Sequence, residues 1–376
     1  MGRKRDAIEA VTWLFNSLAV SAKLPPENPG SIFVLRNNDI GDLLVVTPLF
    51  EALKRRFPQA KLVAGIGSWN CEVLANNPFV DEVLPVNAPW HNQRTKPQGL
   101  LPALAFLAAS AEMKEIKRRR FDIGIDVLGS PFGSWLMMRA NIPWRLGVTG
   151  YAGGQSGVHQ SVRFDPVRHV ADAALDFASL LGADVLPEAR PQLFLTESEK
   201  STGNKLWSCG GGMKRVVVAP GGGYRAKCWP VESYADLLGR IGDAELIVIG
   251  GENDRGLADI ICGKNPRVRN LVGQLTLREV FALISGADSI ICNSSMAMHV
   301  AAAFHKPSLV LLGEAFPSAN DHSRQWAYPE SCLLGREPDG RRVASVEDAF
   351  FAYAEALPGV GGKTQISLGH SASPKP

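Results

Sequence analysis

Short apolar runs of strand length alternate with longer stretches of helical period along most of this chain. Ile32-Phe33-Val34-Leu35-Arg36 reads as a buried parallel strand, and residues 43–57 place apolar side chains at helical spacing until Pro58. Strands are predicted over 61–66, 82–86 and 121–127, with helices over 69–75, before Arg120 and after Ser130. Residues 87–101 read as a long loop, and 150–157 as a glycine-rich, mobile one. After a helix over 167–181, residues 182–192 form a proline-containing connector. The alternation then resumes, with strands over 215–219, 245–249, 289–292 and 308–312. Helices fall over 231–241, from about 253, over 296–304 and over 346–357. The pattern predicts an α/β protein with two parallel sheets flanked by helices. The boundaries read as an N-terminal amphipathic extension (1–30), two Rossmann-like domains (31–185 and 186–358) and a disordered tail (359–376).

Composition narrows this picture only where it departs from the ordinary. At 376 residues the chain exceeds what one hydrophobic core serves, which agrees with two domains. A net charge of +3 carries no nucleic-acid signature. Basic residues cluster at 3–5, 54–56 and 117–120, positions suited to helix ends or to an anionic partner. Six cysteines form no CxxC pair, no metal-ligand spacing appears, and the setting reads as a reducing cytoplasm. No apolar run is long enough to span a bilayer. Residues 8–18 instead align Ile8, Val11, Leu14, Phe15 and Leu18 on one helical face. That face either packs on the protein or lies on the inner face of a membrane, so residues 1–20 are a candidate peripheral contact.

Candidate chemistry gathers at the ends of strands, where open α/β sheets bind ligands. Pro220-Gly221-Gly222-Gly223 can bring bare backbone N–H groups against phosphate oxygens, and Lys227 follows as a point charge for a diphosphate. Glu252 can accept from a ribose diol or cap a helix. Asn293-Ser294-Ser295, leading into Met298 and His299, places hydroxyls and N–H groups at a helix start, suited to an anion or to simple capping. In the first half Asp42, behind Gly41, is either a helix-start carboxylate or a general base facing an interdomain cleft. No Gly-x-Gly-x-x-Gly follows the first strand, which argues against an NAD-dependent dehydrogenase.

Taken together, these segments carry a family resemblance. Residues 35–42 (Leu-Arg-Asn-Asn-Asp-Ile-Gly-Asp), Thr47-Pro48-Leu49 and Asn76-Asn77-Pro78-Phe79-Val80-Asp81 are similar to the amino-terminal blocks of glycosyltransferase family 9, the lipopolysaccharide heptosyltransferases. The segments 220–237, 271–279 and 293–303 resemble its later blocks in the same order. The resemblance implies a GT-B fold and inverting transfer of heptose from ADP-heptose to a lipopolysaccharide-core or related glycan, on the cytoplasmic side. It implies Asp42 as catalytic base, Lys227 on the donor diphosphate, Gly222 and Gly223 in the phosphate loop, Glu252 on the ribose and His299 closing the last block. It requires no cofactor, and no motif here supports Mg2+. Ser294 and Met296 stand where the family usually has aspartate and glycine, the aspartate being associated with donor sugar or metal. That departure keeps a binding protein with lost catalysis in view, beside a sugar-nucleotide epimerase of the same fold.

Overall fold

The structure, a computed structural model, describes residues 2–184, 186, 188–208, 212–336 and 343–356. The tail expected to be disordered, Cys209 and part of the connector lie outside these residues.

Six parallel strands form each of two sheets, whose central strands are apolar on both faces and must be covered by helices on both sides. The first contains β1 (Ser31–Arg36), β2 (Lys61–Ile66), β3 (Glu82–Pro85), β4 (Ile123–Asp126), β5 (Trp144–Thr149) and β6 (Gln160–Arg163), in the order β3-β2-β1-β4-β5-β6. The second contains β7 (Lys214–Ala219), β8 (Ala244–Val248), β9 (Arg269–Asn270), β10 (Ser289–Cys292), β11 (Ser308–Leu311) and β12 (Ser331–Leu334), in the order β12-β11-β10-β7-β8-β9. Both sheets reverse their winding between two central strands, at β1/β4 and at β7/β10. A crevice opens at the carboxyl ends of such a pair, and ligands bind there.

The first sheet is accompanied by α1 (Gly2–Leu18), α2 (Ile40–Leu44), α3 (Pro48–Arg56), α4 (Leu100–Ala109), α5 (Ala111–Arg119), α6 (Pro131–Arg139) and α7 (Val170–Leu180). The second is accompanied by α8 (Glu197–Lys205), α9 (Val231–Arg240), α10 (Arg255–Lys264), α11 (Leu277–Ser285), α12 (Met296–Ala303), α13 (Ala319–Trp326) and α14 (Val346–Ala356). Three single helices in the sequence reading come out differently. Residues 43–57 divide at Pro48, which starts α3 because it has no N–H to continue the ladder from α2. The helix before Arg120 divides at Ser110, whose hydroxyl accepts from the Met113 N–H at 3.0 Å and caps α5. Residues 68–74 form a 3₁₀ helix rather than an α-helix. The segment 150–157, expected to be mobile, is tied down: Ser134 Oγ donates to the Gly154 carbonyl at 2.7 Å, and Glu9 accepts from the N–H groups of Gly154 and Ser156 at 2.6 and 3.0 Å.

One buried apolar cluster runs from the first sheet and α3 (Val34, Leu49, Phe50) into the second sheet and α11–α12 (Val217, Phe281, Ile290, Met298). The two units therefore share part of their core. Helix α1 packs the other way round from its amphipathic pattern. It turns Glu9, Thr12 and Asn16 inward, where Thr12 accepts from Trp135 Nε1 at 2.9 Å and Asn16 accepts from Arg145 Nη2 at 2.6 Å. Ile8, Val11, Leu14 and Leu18 face solvent.

Candidate active site

The loop after β1 is fixed before it reaches the cleft. Asn37 Nδ2 donates to the Trp90 carbonyl at 3.0 Å and Asn38 Nδ2 to that of His91 at 2.6 Å. The Asn38 carbonyl in turn accepts from Trp69 Nε1 and Asn70 Nδ2 at 3.0 and 2.9 Å. This bracing presents α2 as a single rigid turn at the carboxyl edge of the sheet. Buried Arg36 donates Nε to the Asp42 carbonyl at 3.1 Å and holds Nη2 3.4 Å from its carboxylate. The Asp42 side chain keeps 35% of its surface accessible, so a reactant can reach it. Gly41 approaches the other domain closely: a Cβ there would stand 3.2 Å from His299 Cδ2.

Opposite lies the loop after β7. Asn293, at the end of β10, is wholly buried. Its Oδ1 accepts from the Trp229 N–H and the Tyr234 hydroxyl, both at 2.9 Å. Its Nδ2 donates to the carbonyls of Pro220 and Gly221 at 2.6 and 3.2 Å, which pins the glycine loop to α9. A Cβ on Gly221 would collide with the Asp254 carboxylate at 2.5 Å, so only glycine lets the loop pass that close. Lys227 is half-buried, its ammonium 5.3 Å from the Tyr224 ring and 5.9 Å from that of Phe316, with no carboxylate partner among the described residues. Such an unpaired cation suits a polyanion. Ser294 Oγ meets His322 Nε2 at 2.7 Å. Burial, helped by the Lys227 charge, pushes the His322 imidazole down to about 4. His299 meets the Tyr328 hydroxyl at 2.9 Å through Nδ1, and burial pushes it down to about 3. Both rings are neutral near pH 7.

These groups surround one cleft of about 510 Å³ between the two sheets. Asp39, Asp42 and Gln93 line one wall; Gly223, Lys227, Ser294 and His299 line the other; α13 closes it with His322, Gln325 and Trp326. A second cavity of about 290 Å³ shares Asp42, Gln325 and Trp326 and runs into the first domain over Val46, Val148 and Phe177, with Arg163 and Arg168 at its side. Of the residues singled out in the sequence, Asp42, Gly223, Lys227, Ser294 and His299 meet in the cleft. Gly221 and Gly222 form the loop behind it, and Ser295 stands at the start of α12 without capping it through its side chain. Glu252 is exposed and engaged by Arg255 Nη2 at 2.8 Å, on the turn whose Asp254 abuts Gly221. Asn293 and Met298 correct the expectation of donor contact. Both are 0% exposed, the first spending its amide on the protein and the second packed in the core. The sequence reading missed Gln93, Phe316, Gln325, Trp326 and His322. A Ser-x-x-Asp cap at Ser318 and Asp321, with Ser318 Oγ accepting from the Asp321 N–H at 3.0 Å, was the available signal for α13. No group of three or more histidine, cysteine or acidic side chains able to hold a metal ion occurs among the described residues.

A family model described as glycosyltransferase family 9 (heptosyltransferase) matches residues 110–331, more than half of the chain. The chain belongs to glycosyltransferase family 9. The family-9 chain is 28% identical over 305 residues to lipopolysaccharide heptosyltransferase 2 of Escherichia coli K12, across 76% of this chain and 83% of that protein. With Escherichia coli lipopolysaccharide heptosyltransferase 3 it shares 24% over 299 residues, across 76% and 84%. Among solved structures, a family 9 glycosyltransferase from Veillonella parvula superposes with a TM-score of 0.72 at 18% identity, over 88% of this chain and 98% of that one. ADP-heptose lipopolysaccharide heptosyltransferase II of E. coli gives 0.69 at 21% identity, over 87% and 98%. The shared architecture is the GT-B arrangement of two Rossmann-like units facing a cleft, and the activity is glycosyl transfer.

Proposed function

We propose that this glycosyltransferase moves a heptose from ADP-heptose to a lipopolysaccharide-core or related lipid-linked glycan, with inversion at the anomeric carbon. One observation carries the mechanism: Asp42 and Lys227, from opposite domains, line the same cleft. The acceptor occupies the first-domain side, reaching the cavity over Val46 and Phe177 that opens at Asp42. Its hydroxyl oxygen attacks the anomeric carbon while the Asp42 carboxylate takes its proton. The bond from that carbon to the diphosphate oxygen breaks in the same displacement, and the nucleoside diphosphate leaves with the electron pair. Lys227 and the N–H groups of the glycine loop receive the charge that develops. Ser294 and neutral His322 stand where the donor sugar meets the loop. Because Lys227 supplies the countercharge, this reaction needs no metal. Similarity to lipopolysaccharide heptosyltransferase 2 and to ADP-heptose lipopolysaccharide heptosyltransferase II of E. coli supports the donor and acceptor assignment.

The transferase works on the cytoplasmic face of the inner membrane, with residues 1–20 in peripheral contact. No described helix is long and apolar enough to cross a membrane. The test is transfer from ADP-heptose to a heptose-deficient core acceptor by the protein and by Asp42→Ala. Turnover falls roughly 100- to 10,000-fold while ADP affinity, measured by calorimetry, stays within about twofold. Parallel loss of both would assign Asp42 a structural role. ADP-heptose incubated alone yields no isomer, whereas an epimerase would produce one.

A further inference from the structure

The outward apolar face of α1 has a neighbour. Phe15, Leu18 and Val20 share a groove with Leu104 and Leu107 of α4 and Trp135 of α6, and Arg139 stands at its edge. On α4, Leu100, Leu101 and Leu104 lie on one helical face by their spacing, and all three are exposed, Leu101 at 78%. Beside it, Leu18 of α1 is 82% exposed and Val20 just beyond that helix is 50% exposed. Two helices far apart in sequence thus present one apolar surface to solvent, whereas exposed apolar residues in a monomer are usually scattered singly.

The chemistry around this surface is basic. Asn141 borders both the apolar groove and a recess lined by Lys117, Arg118 and Arg120. Lys117, Arg120 and Arg139 are exposed and have no carboxylate partner among the described residues. Three nearby acids are already engaged, while Asp6 and Glu112 carry the remaining negative charge of α1 and α5. Glu9 accepts from the N–H groups of Gly154 and Ser156, and Asp122 accepts from those of Gly30 and Ser31. Glu115 is held by Arg118 and Arg119. The sequence adds Arg3, Lys4 and Arg5 at the start of α1. The inward face of α1 spends Glu9, Thr12 and Asn16 on the protein, which leaves its apolar outward face without a partner among the described residues.

We infer that α1 and α4 together form a lipid-docking face that inserts Leu18, Val20, Leu100, Leu101 and Leu104 among the acyl chains of an anionic bilayer, with Lys117, Arg120 and Arg139 on its headgroups. Apolar area and anionic attraction add in interfacial binding, and each exposed cation near such a surface contributes about fivefold to affinity. The inference rests on the proposed membrane contact of residues 1–20 and extends it to a second helix. An aromatic chain links this face to the cleft. Phe15 contacts Trp135 with centroids 5.9 Å apart, Trp135 contacts Phe132 at 5.7 Å, and Phe132 contacts Trp90 at 5.4 Å. The Trp90 carbonyl receives the Asn37 amide just ahead of Asp42. The docked face therefore holds the acceptor side of the cleft beside the lipid that carries the acceptor.

The experiment is co-sedimentation of the full chain with vesicles of phosphatidylethanolamine and phosphatidylglycerol, beside vesicles of phosphatidylcholine alone. Leu101→Glu and Leu18→Glu are each expected to lower partitioning about tenfold or more, and Lys117→Glu with Arg120→Glu to lower it for anionic vesicles only. Melting temperature and transfer to a water-soluble acceptor fragment stay near the parent values, which separates this inference from the transfer reaction itself. Unchanged binding by Leu101→Glu, with binding lost in Leu18→Glu, would leave residues 1–20 as the contact and overturn the role of α4. Equal binding to both vesicle types would overturn the basic component. A dimer in solution that Leu101→Glu converts to monomer, with vesicle binding unaltered, would make this face a subunit interface and overturn the inference.

Discussion

Replacing Asn293 by alanine tests whether the glycine loop is held from behind rather than by the ligand. The side chain makes four hydrogen bonds, two accepted and two donated, in a site from which water is excluded. Alanine leaves the Trp229 N–H and the Tyr234 hydroxyl buried without acceptors, at about 1–3 kcal/mol each. Burial pushes the Tyr234 phenol well above its ordinary range, so it stays a donor in need of a partner. The carbonyls of Pro220 and Gly221 have second lone pairs and lose less. The sum is about 3–5 kcal/mol, a large part of the roughly 5–15 kcal/mol by which proteins are stable. For a unit of this size it lowers the melting temperature by about 10 °C. Asn293→Asp keeps the oxygen that Trp229 and Tyr234 need but buries a carboxylate facing the two loop carbonyls, so it should lower both stability and ADP affinity. Thermal unfolding with and without ADP, together with calorimetric titration, measures both. If Asn293→Ala melts within about 2 °C of the parent and binds ADP equally well, the loop is not pinned here and the argument fails.

Other consequences follow from the same site. Lys227→Gln removes the unpaired cation and should weaken ADP binding roughly 10- to 100-fold by calorimetry, since hydrogen bonds to charged groups contribute about 1.5–3 kcal/mol. Unchanged affinity would place the diphosphate elsewhere. The two buried imidazoles set a pH dependence. Their folded values of about 3 and about 4 lie below the ordinary histidine value near 6.5, so the unfolded chain takes up protons first. Their contribution to stability is complete above about pH 6.5 and is lost as pH falls toward 4 and then 3. Denaturant unfolding at pH 7.5 and pH 5 should show the decrease, with a shallower slope in His322→Gln; equal slopes would mean His322 is not buried as neutral imidazole. Finally, Gly41→Val should impair transfer more than folding, because its side chain meets His299 at the junction of the two cleft walls. Equal loss of turnover and melting temperature would count against that reading.

Much of this architecture can be read from the chain because the central strands are apolar but for a polar residue at one end. Residues 32–36, 61–66, 215–219 and 289–292 declare themselves, and the loops that follow them carry the chemistry. The edges of the sheets do not. In β6, Gln160-Ser161-Val162-Arg163 has a single apolar residue, and β9 is two residues long, so neither offers a period to detect. For the same reason α13 went unseen, since its eight residues are mostly polar, and with it went three side chains that close the cleft. Asp42 and Lys227 were legible as chemistry, but their meeting across the cleft depends on how two sheets sit together, which no local pattern encodes. Asn293 misled because a polar residue at a strand end suits a ligand and a buried brace equally well. The inversion of α1 was also hidden: the helical wheel gives the apolar stripe but not the side on which the protein lies.

The apolar cluster that passes without interruption from one sheet to the other ties the halves together as a folding unit. Cutting the chain in the connector would strip each half of its neighbour and leave a large oily wall bare to water. Neither half would then be a self-sufficient module, and heating the intact chain should melt both in one cooperative transition.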